Sequence, residues 1–262
     1  MTEGAVMKTL LLFSMPLIAA NLLQEFYSMV DLMVIGQFAG SVGTVGVSTG
    51  GEIADILTPA AMALAAAGQI YIAQLAGAGE EKRIKEAVGT LLSLMLGIAV
   101  VFSFLIQLFC PRLLNLLNCP QEAMSEAVSY LRITALGIPF IFGYNGICGL
   151  LRGMGESKKP LVFIMIAAAV NIFLDLLLVA VFHMGTAGTA IATVLAQVLS
   201  ALYCCYYIGR EKNLIPRKTD WKPQSVIIKR LTLKGLPVAV MNSVTAVGGM
   251  VLQTFVNNMG TS

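Results

Sequence analysis

Two carboxylates lie in runs too apolar to hydrate them. Asp31 sits in the stretch 10–35 and Asp175 in the stretch 160–182. An acid inside a membrane-crossing segment costs about 2.5–3.5 kcal/mol on insertion scales, so it is a functional candidate by default. Both acids have polar company at helical spacing. Asn21, Gln24, Ser28 and Asp31 follow i, i+3, i+7 and i+10. At 100° per residue they fall within an arc of about 80°. Glu25 borders that face. Asn171 and Asp175 are i and i+4, hence neighbours on a helix surface. Thr186, Thr189, Thr193, Gln197 and Ser200 form another narrow face, and Tyr130, Thr134 and Asn145 punctuate a fourth run. Two carboxylates, an amide and hydroxyls offer the hard oxygen ligands that a small cation prefers. The same pair could instead carry a proton, because two like charges in a poorly solvated site cannot both stay ionised cheaply. The plainest alternative is hydrogen bonding between helices. That alternative is expected for Thr186, Thr189 and Ser200.

The elements that carry these residues follow from composition. Charged residues make up 12% of the 262, and hydrophobic ones 57%. A soluble domain carries about 25% charged residues. The stretch 87–110 has no charge at all. About 20 apolar residues span the hydrocarbon core as a helix, and inside lipid the backbone must satisfy its own hydrogen bonds. Seven such segments can be marked, at about 10–35, 45–75, 88–109, 123–151, 160–182, 188–208 and 231–259. The fold class is therefore all-α, a polytopic membrane protein. Pro16, Pro59, Pro139 and Pro237 lie in or near the starts of these segments, where they favour kinks.

The basic residues orient the chain. With the N-terminus inside, fifteen of the 17 Lys and Arg fall at cytoplasmic ends, led by Lys8, Lys82, Arg83, Arg152, Lys158 and the run after 209. Arg112 alone falls in an outer loop, with Arg132 near the outer end of the fourth segment. Depth then groups the polar residues. Asp175 lies about 12 Å below the outer boundary near His183, and Thr193 about 8 Å below it. Asp31 and Tyr130 are also in the outer half. Glu52 and Asp55, at the outer end of the second segment, are expected to be solvated.

The link 209–225 is the one candidate boundary. It holds Pro216, Pro223, five basic residues and the sole tryptophan, Trp221, a candidate interfacial anchor. An internal repeat follows it. KTLLLFSMPLIAAN at 8–21 and KRLTLKGLPVAVMN at 229–242 share Lys, two Leu, Pro and Asn at a constant offset of 221. Six crossings separate the copies, so both keep the same orientation. The expected division is a six-helix lobe at 1–208, a cytoplasmic linker at 209–225, and the first helix of a truncated second lobe at 226–262.

Several classes are excluded. No nucleophile–base set or catalytic metal cluster is present, so the chain reads as no enzyme. The GMGES segment lacks phosphate-loop spacing. Nothing suggests nucleic acid. The five cysteines show no metal spacing, and free thiols are expected, with Cys110 and Cys119 the one pair placed to bond.

The combination of motifs resembles the multidrug and toxic compound extrusion (MATE) family. The carrying stretches are 16–36 with YSMVDLMVIG around Asp31, QIYIAQLAG at 69–77, LLRGMGESKKP at 150–160, and NIFLD at 171–175. The resemblance implies an inner-membrane antiporter that exports cationic, amphipathic drugs by alternating access, driven by Na+ or H+ and using no other cofactor. It implies that Asp31, Asn171, Asp175 and Thr193 form the cation or proton site, with Tyr130 and Asn145 as neighbours; Gln24 and Glu25, on or beside the polar face of the first segment, are further candidate neighbours. It also implies a missing second lobe, or a second copy, as partner. Two rivals remain: a lipid-linked oligosaccharide flippase of similar architecture, and a fragment that transports nothing alone. A flippase needs a strongly cationic cavity, and Arg132 is the one arginine expected inside a span.

Overall fold

The computed structural model describes residues 6–55, 57–210, 214, 216 and 219–258. Among them there are helices and no strands. The helices are α1 (Val6–Asp55), α2 (Thr58–Gly77), α3 (Glu81–Leu116), α4 (Met124–Gly153), α5 (Lys158–Asp175), α6 (Gly185–Arg210) and α7 (Ser225–Asn258). Six stretches are long and apolar enough to cross a membrane, the first being 67 residues, Leu11–Gly77. That is far more than the 20 or so residues one crossing needs.

The first stretch folds back on itself at Gly40. Its φ of 69° is in the left-handed region that glycine tolerates without a Cβ clash. A β-carbon on Gly43 would lie 3.5 Å from Ile35 Cγ1. Eight residues along an unbroken helix would rise about 12 Å. The first stretch thus has two arms, which match the first two apolar segments. The second crossing is the outer arm of α1 followed by α2, with Pro59 in the first turn of α2, where its missing N–H costs nothing.

α4 is the central helix and packs on α1, α2, α3 and α6. Small residues allow this. A β-carbon on Gly149 would come within 2.5 Å of Ala65 O, so glycine is required where α4 meets α2. The core is a continuous apolar cluster from Ile53 to Leu231 that holds Met95, Leu131, Phe142 and Leu151. α5 ends at Asp175 and continues as a π-helical stretch, Leu176–Val181. The approach to α7 is tied to α3: Gln224 N–H donates to Thr90 Oγ1 at 3.4 Å and Ser93 Oγ donates to Trp221 O at 2.8 Å. Trp221 is thus held on α3 by its backbone. Lys212, Arg217 and Lys218 lie outside the described residues, as do the side chains of Lys8 and Asp55.

All five cysteines are free. The sulfurs of Cys110 and Cys119 point to Val128 O and Pro120 O, so the one placed pair is unbonded.

Candidate functional site

The four expected residues converge. Asn171 Nδ2 donates to Thr193 Oγ1 at 3.4 Å, and Thr193 Oγ1 donates to Asp31 Oδ2 at 3.4 Å. The Asp31 and Asp175 carboxyl groups face each other. One residue each comes from α1 and α6 and two from α5, one turn apart. Burial is nearly complete: Asp175 is 0% exposed, Asn171 2% and Asp31 7%.

What the cluster lacks is donors. Asp31 Oδ1, Asn171 Oδ1 and both oxygens of Asp175 are buried without a hydrogen-bond partner. Buried acceptors left in this way cost about 1–3 kcal/mol each. Thr189 Oγ1 is a further orphan beside Asp175. Thr189, expected as an interhelical hydrogen bonder, faces Asp175 across the α5–α6 contact and so stands beside the cluster. The signal that could have found it is spacing, since Thr189 and Thr193 are i and i+4 and share a helix face. The expectation does hold for its two companions. Thr186 Oγ1 donates to Glu126 Oε2, and Ser200 Oγ donates to Phe163 O.

Asp31 and Thr193 also line a cavity of about 190 Å³ between α1, α2, α4, α5 and α6. Tyr130 and Thr134 line its outer part, and Asn145 its lower part. Asn145 Nδ2 donates to its own helix at Ile141 O, 2.9 Å away, so it borders the cavity without joining the carboxylates. Gln24 lines the mouth from the exposed side of α1. Glu25 is not brought there: one residue further turns it about 100° away, and it is exposed and absent from the lining. The arginine inside the lobe also differs from expectation. Arg132 is exposed, whereas Arg152, in the last turn of α4, lines the cavity.

Comparison with known proteins decides the family. The MatE family model matches residues 16–177, well over half of the chain. The chain belongs to the MatE family. It is 32% identical over 262 residues to "Probable multidrug resistance protein YpnP" of Bacillus subtilis (strain 168), covering 99% of this chain and 58% of that protein. The MatE chain thus spans a little over half the length of the curated relatives it matches. Its fold superposes on "Crystal structure of MATE in the straight conformation" with a TM-score of 0.82 at 22% identity, covering 90% of this chain and 53% of the other. It superposes equally well on "Inward-facing conformation of a multidrug resistance MATE family transporter of the MOP superfamily", with a TM-score of 0.82 at 22% identity over 88% and 53%. The family consists of multi-pass membrane transporters and not of enzymes.

The MatE match includes Asp31, Asn171 and Asp175, and stops short of Thr193 and α7. α7 brings a second polar cluster that single residues did not reveal. Gln253 Nε2 donates to Thr49 Oγ1 at 3.3 Å and to Asn257 Oδ1 at 3.0 Å, while Ser48 Oγ donates to Gln253 Oε1 at 2.9 Å. Thr49 Oγ1 donates to Asn257 Oδ1 at 3.1 Å, and Asn257 Nδ2 donates to Leu117 O at 2.7 Å. Glu52 lies against the same helix: a β-carbon on Gly249 would come within 3.2 Å of Glu52 Oε2. Glu52 is therefore half-buried at a helix contact and not simply solvated.

Proposed function

We propose that this chain is the amino-terminal lobe, with the opening helix of a second lobe, of a cation-coupled exporter of organic cations. Asp31, Asn171, Asp175, Thr193 and Thr189 hold the coupling Na+ or H+. One observation carries this reading: buried oxygens from three helices face one another and have too few donors. A buried cluster this short of donors is completed by a small cation or by a proton. Two carboxylates and three neutral oxygen-bearing side chains offer a cation hard oxygen ligands. Expelled substrates are drugs, the class that the names of the relatives print, and cationic, amphipathic ones by the MATE resemblance. The lobe sits in the inner membrane with its N-terminus in the cytoplasm, which is supported by the skew of Lys and Arg. Transport itself requires the remaining lobe or a second copy.

The test is drug efflux in cells carrying the full-length gene product, under imposed Na+ or proton gradients. Asp31→Asn keeps the volume and removes the charge. Loss of gradient-driven efflux with normal membrane insertion supports the site. Normal efflux by both Asp31→Asn and Asp175→Asn would show that the cluster is only structural glue.

A further inference from the structure

The segment GMGESKKP at 153–160 lacks phosphate-loop spacing, yet it builds an anion cradle of another kind. α5 opens at Lys158, with Ser157 as its N-cap residue. The first N–H groups of a helix have no partner within it and form its positive pole, which favours a phosphate. Ser157 adds a buried donor beside them. It is only 6% exposed, and its hydroxyl makes no capping bond to α5. Among the described residues it has no other partner. Buried polar groups are rarely left in this state. Ser157 lines a recess of about 460 Å³, within the range of small-molecule sites, about 300–1,000 Å³.

The recess has a charged side and an apolar side. Its lining carries two lysines, Lys158 and Lys159, against one acid, Glu156. Glu156 accepts from Tyr207 Oη at 2.9 Å. Lys159 Nζ sits 4.7 Å from the centroid of the Tyr207 ring, a cation–π contact that holds the ammonium in place. The apolar side is Leu12 and Phe13 of α1, and Leu12 is 61% exposed. The membrane-length stretch of α5 begins at Lys158, so the recess lies at headgroup level. It is about 26 Å along α5 from Asp175, well apart from the carboxylate cluster.

We propose that this recess binds the phosphate of an anionic phospholipid, with an acyl chain laid along Leu12 and Phe13. Basic pockets between crossing helices hold lipid headgroups in this way. A soluble anion would use the lysines and Ser157 but leave the apolar side bare. In the orientation proposed above the leaflet is the cytoplasmic one. The site itself requires neither that orientation nor coupled export.

The test is lipid binding to the full-length protein, delipidated in detergent and titrated with phosphatidylglycerol or phosphatidylcholine, with bound lipid counted by native mass spectrometry. Phosphatidylglycerol is expected to bind more tightly. Lys158→Gln combined with Lys159→Gln should weaken it about tenfold, and Ser157→Ala a few-fold. Lys82→Gln combined with Lys85→Gln, at the start of α3, should change it less than twofold. Glycerol phosphate at the same concentration should not displace the lipid. Ser157→Ala removes one hydroxyl, so it still reads the site if the lysine pair proves necessary for insertion. Four outcomes overturn the proposal: equal affinity for the two lipids, which leaves only an apolar groove; equal weakening by the α3 pair, which means diffuse attraction to a basic surface; displacement by glycerol phosphate, which means a soluble anion; or Ser157→Ala binding as tightly as the parent. Cysteine labelling of this face from outside intact cells would move the site to the other leaflet and overturn the orientation alone.

Discussion

Two buried polar clusters hold helices together in this lobe, and they are built from opposite materials. The seam between α1 and α7 uses amides and hydroxyls, which both donate and accept. Gln253 and Asn257 are 7% and 5% exposed, and their bonds run in a closed circuit through Thr49 to Leu117 O. The cluster at Asp31 and Asp175 uses ionisable acceptors. Its donors are one amide and hydroxyls, and they stop at a single contact to Asp31. Burial alone therefore does not mark a site. What differs is the balance of donors to acceptors, and of the two clusters the acid one is short of donors.

The contrast is broken most severely by neutralising an acid. Asp175→Asn turns an acceptor into a group that can donate, so coupled transport should fall to background while expression and insertion stay normal. Retained Na+- or H+-driven efflux in that variant would erase the distinction. A second consequence concerns competition. Metal binding to an acid pair displaces protons, so if Na+ is the ion its apparent affinity should weaken by up to about tenfold per unit of falling pH below the titration of the pair. Isothermal titration in detergent at several pH values reads this directly, and an affinity constant from pH 5 to 8 would point to a site that does not exchange protons.

At the seam the expected damage is of another kind. Gln253→Leu deletes three hydrogen bonds, and such bonds average about 0.6 kcal/mol each in membranes, with a maximum near 1.7. Thermal unfolding in detergent should shift down by a few degrees, while the ion dependence of transport stays as it was. A changed ion dependence with unchanged stability would place the seam in the coupling machinery. The smallest effect is reserved for Thr189→Val. A neutral ligand can be replaced by water, so apparent ion affinity should drop only a few-fold. No change at all would return Thr189 to the role of spectator.

Much of this lobe is legible in residue types. The crossings are visible because lipid demands long apolar helices, and the site because Asp31 and Asp175 are expensive where they stand. Polar stripes at 3.6-residue spacing bring Asn171 and Thr193 with them. What types and spacing leave open is which partner each polar residue meets. Thr189 and Thr186 have identical chemistry on one helix, and only the neighbouring helices decide which meets Asp175 and which meets Glu126. An adjacent stripe favours Glu25, yet a single step around α1 turns it outward. Arg152 reads as one more cytoplasmic charge because depth counting stops at the helix end, while the cavity continues to it. Gln253 and Asn257 carry no charge and interrupt no pattern strongly enough to stand out. Partner identity across helices is a tertiary property, and one sequence encodes it only through the packing.

The tie between α3 and the approach to α7 has a mechanical side. A β-carbon on Gly89 would come within 2.2 Å of Asp220 O, so the backbone at Asp220 is pressed flat on α3. Ile227 and Leu231 are buried just beyond it, whereas only 7% of the apolar window of α7 is buried. α7 is thus a mast clamped at the foot and moored by two amides near the tip. Its 34 residues make it about 51 Å tall. If the moorings slip, a tilt of about 10° about the clamp sweeps the tip through about 9 Å, with leverage set by the length of the mast.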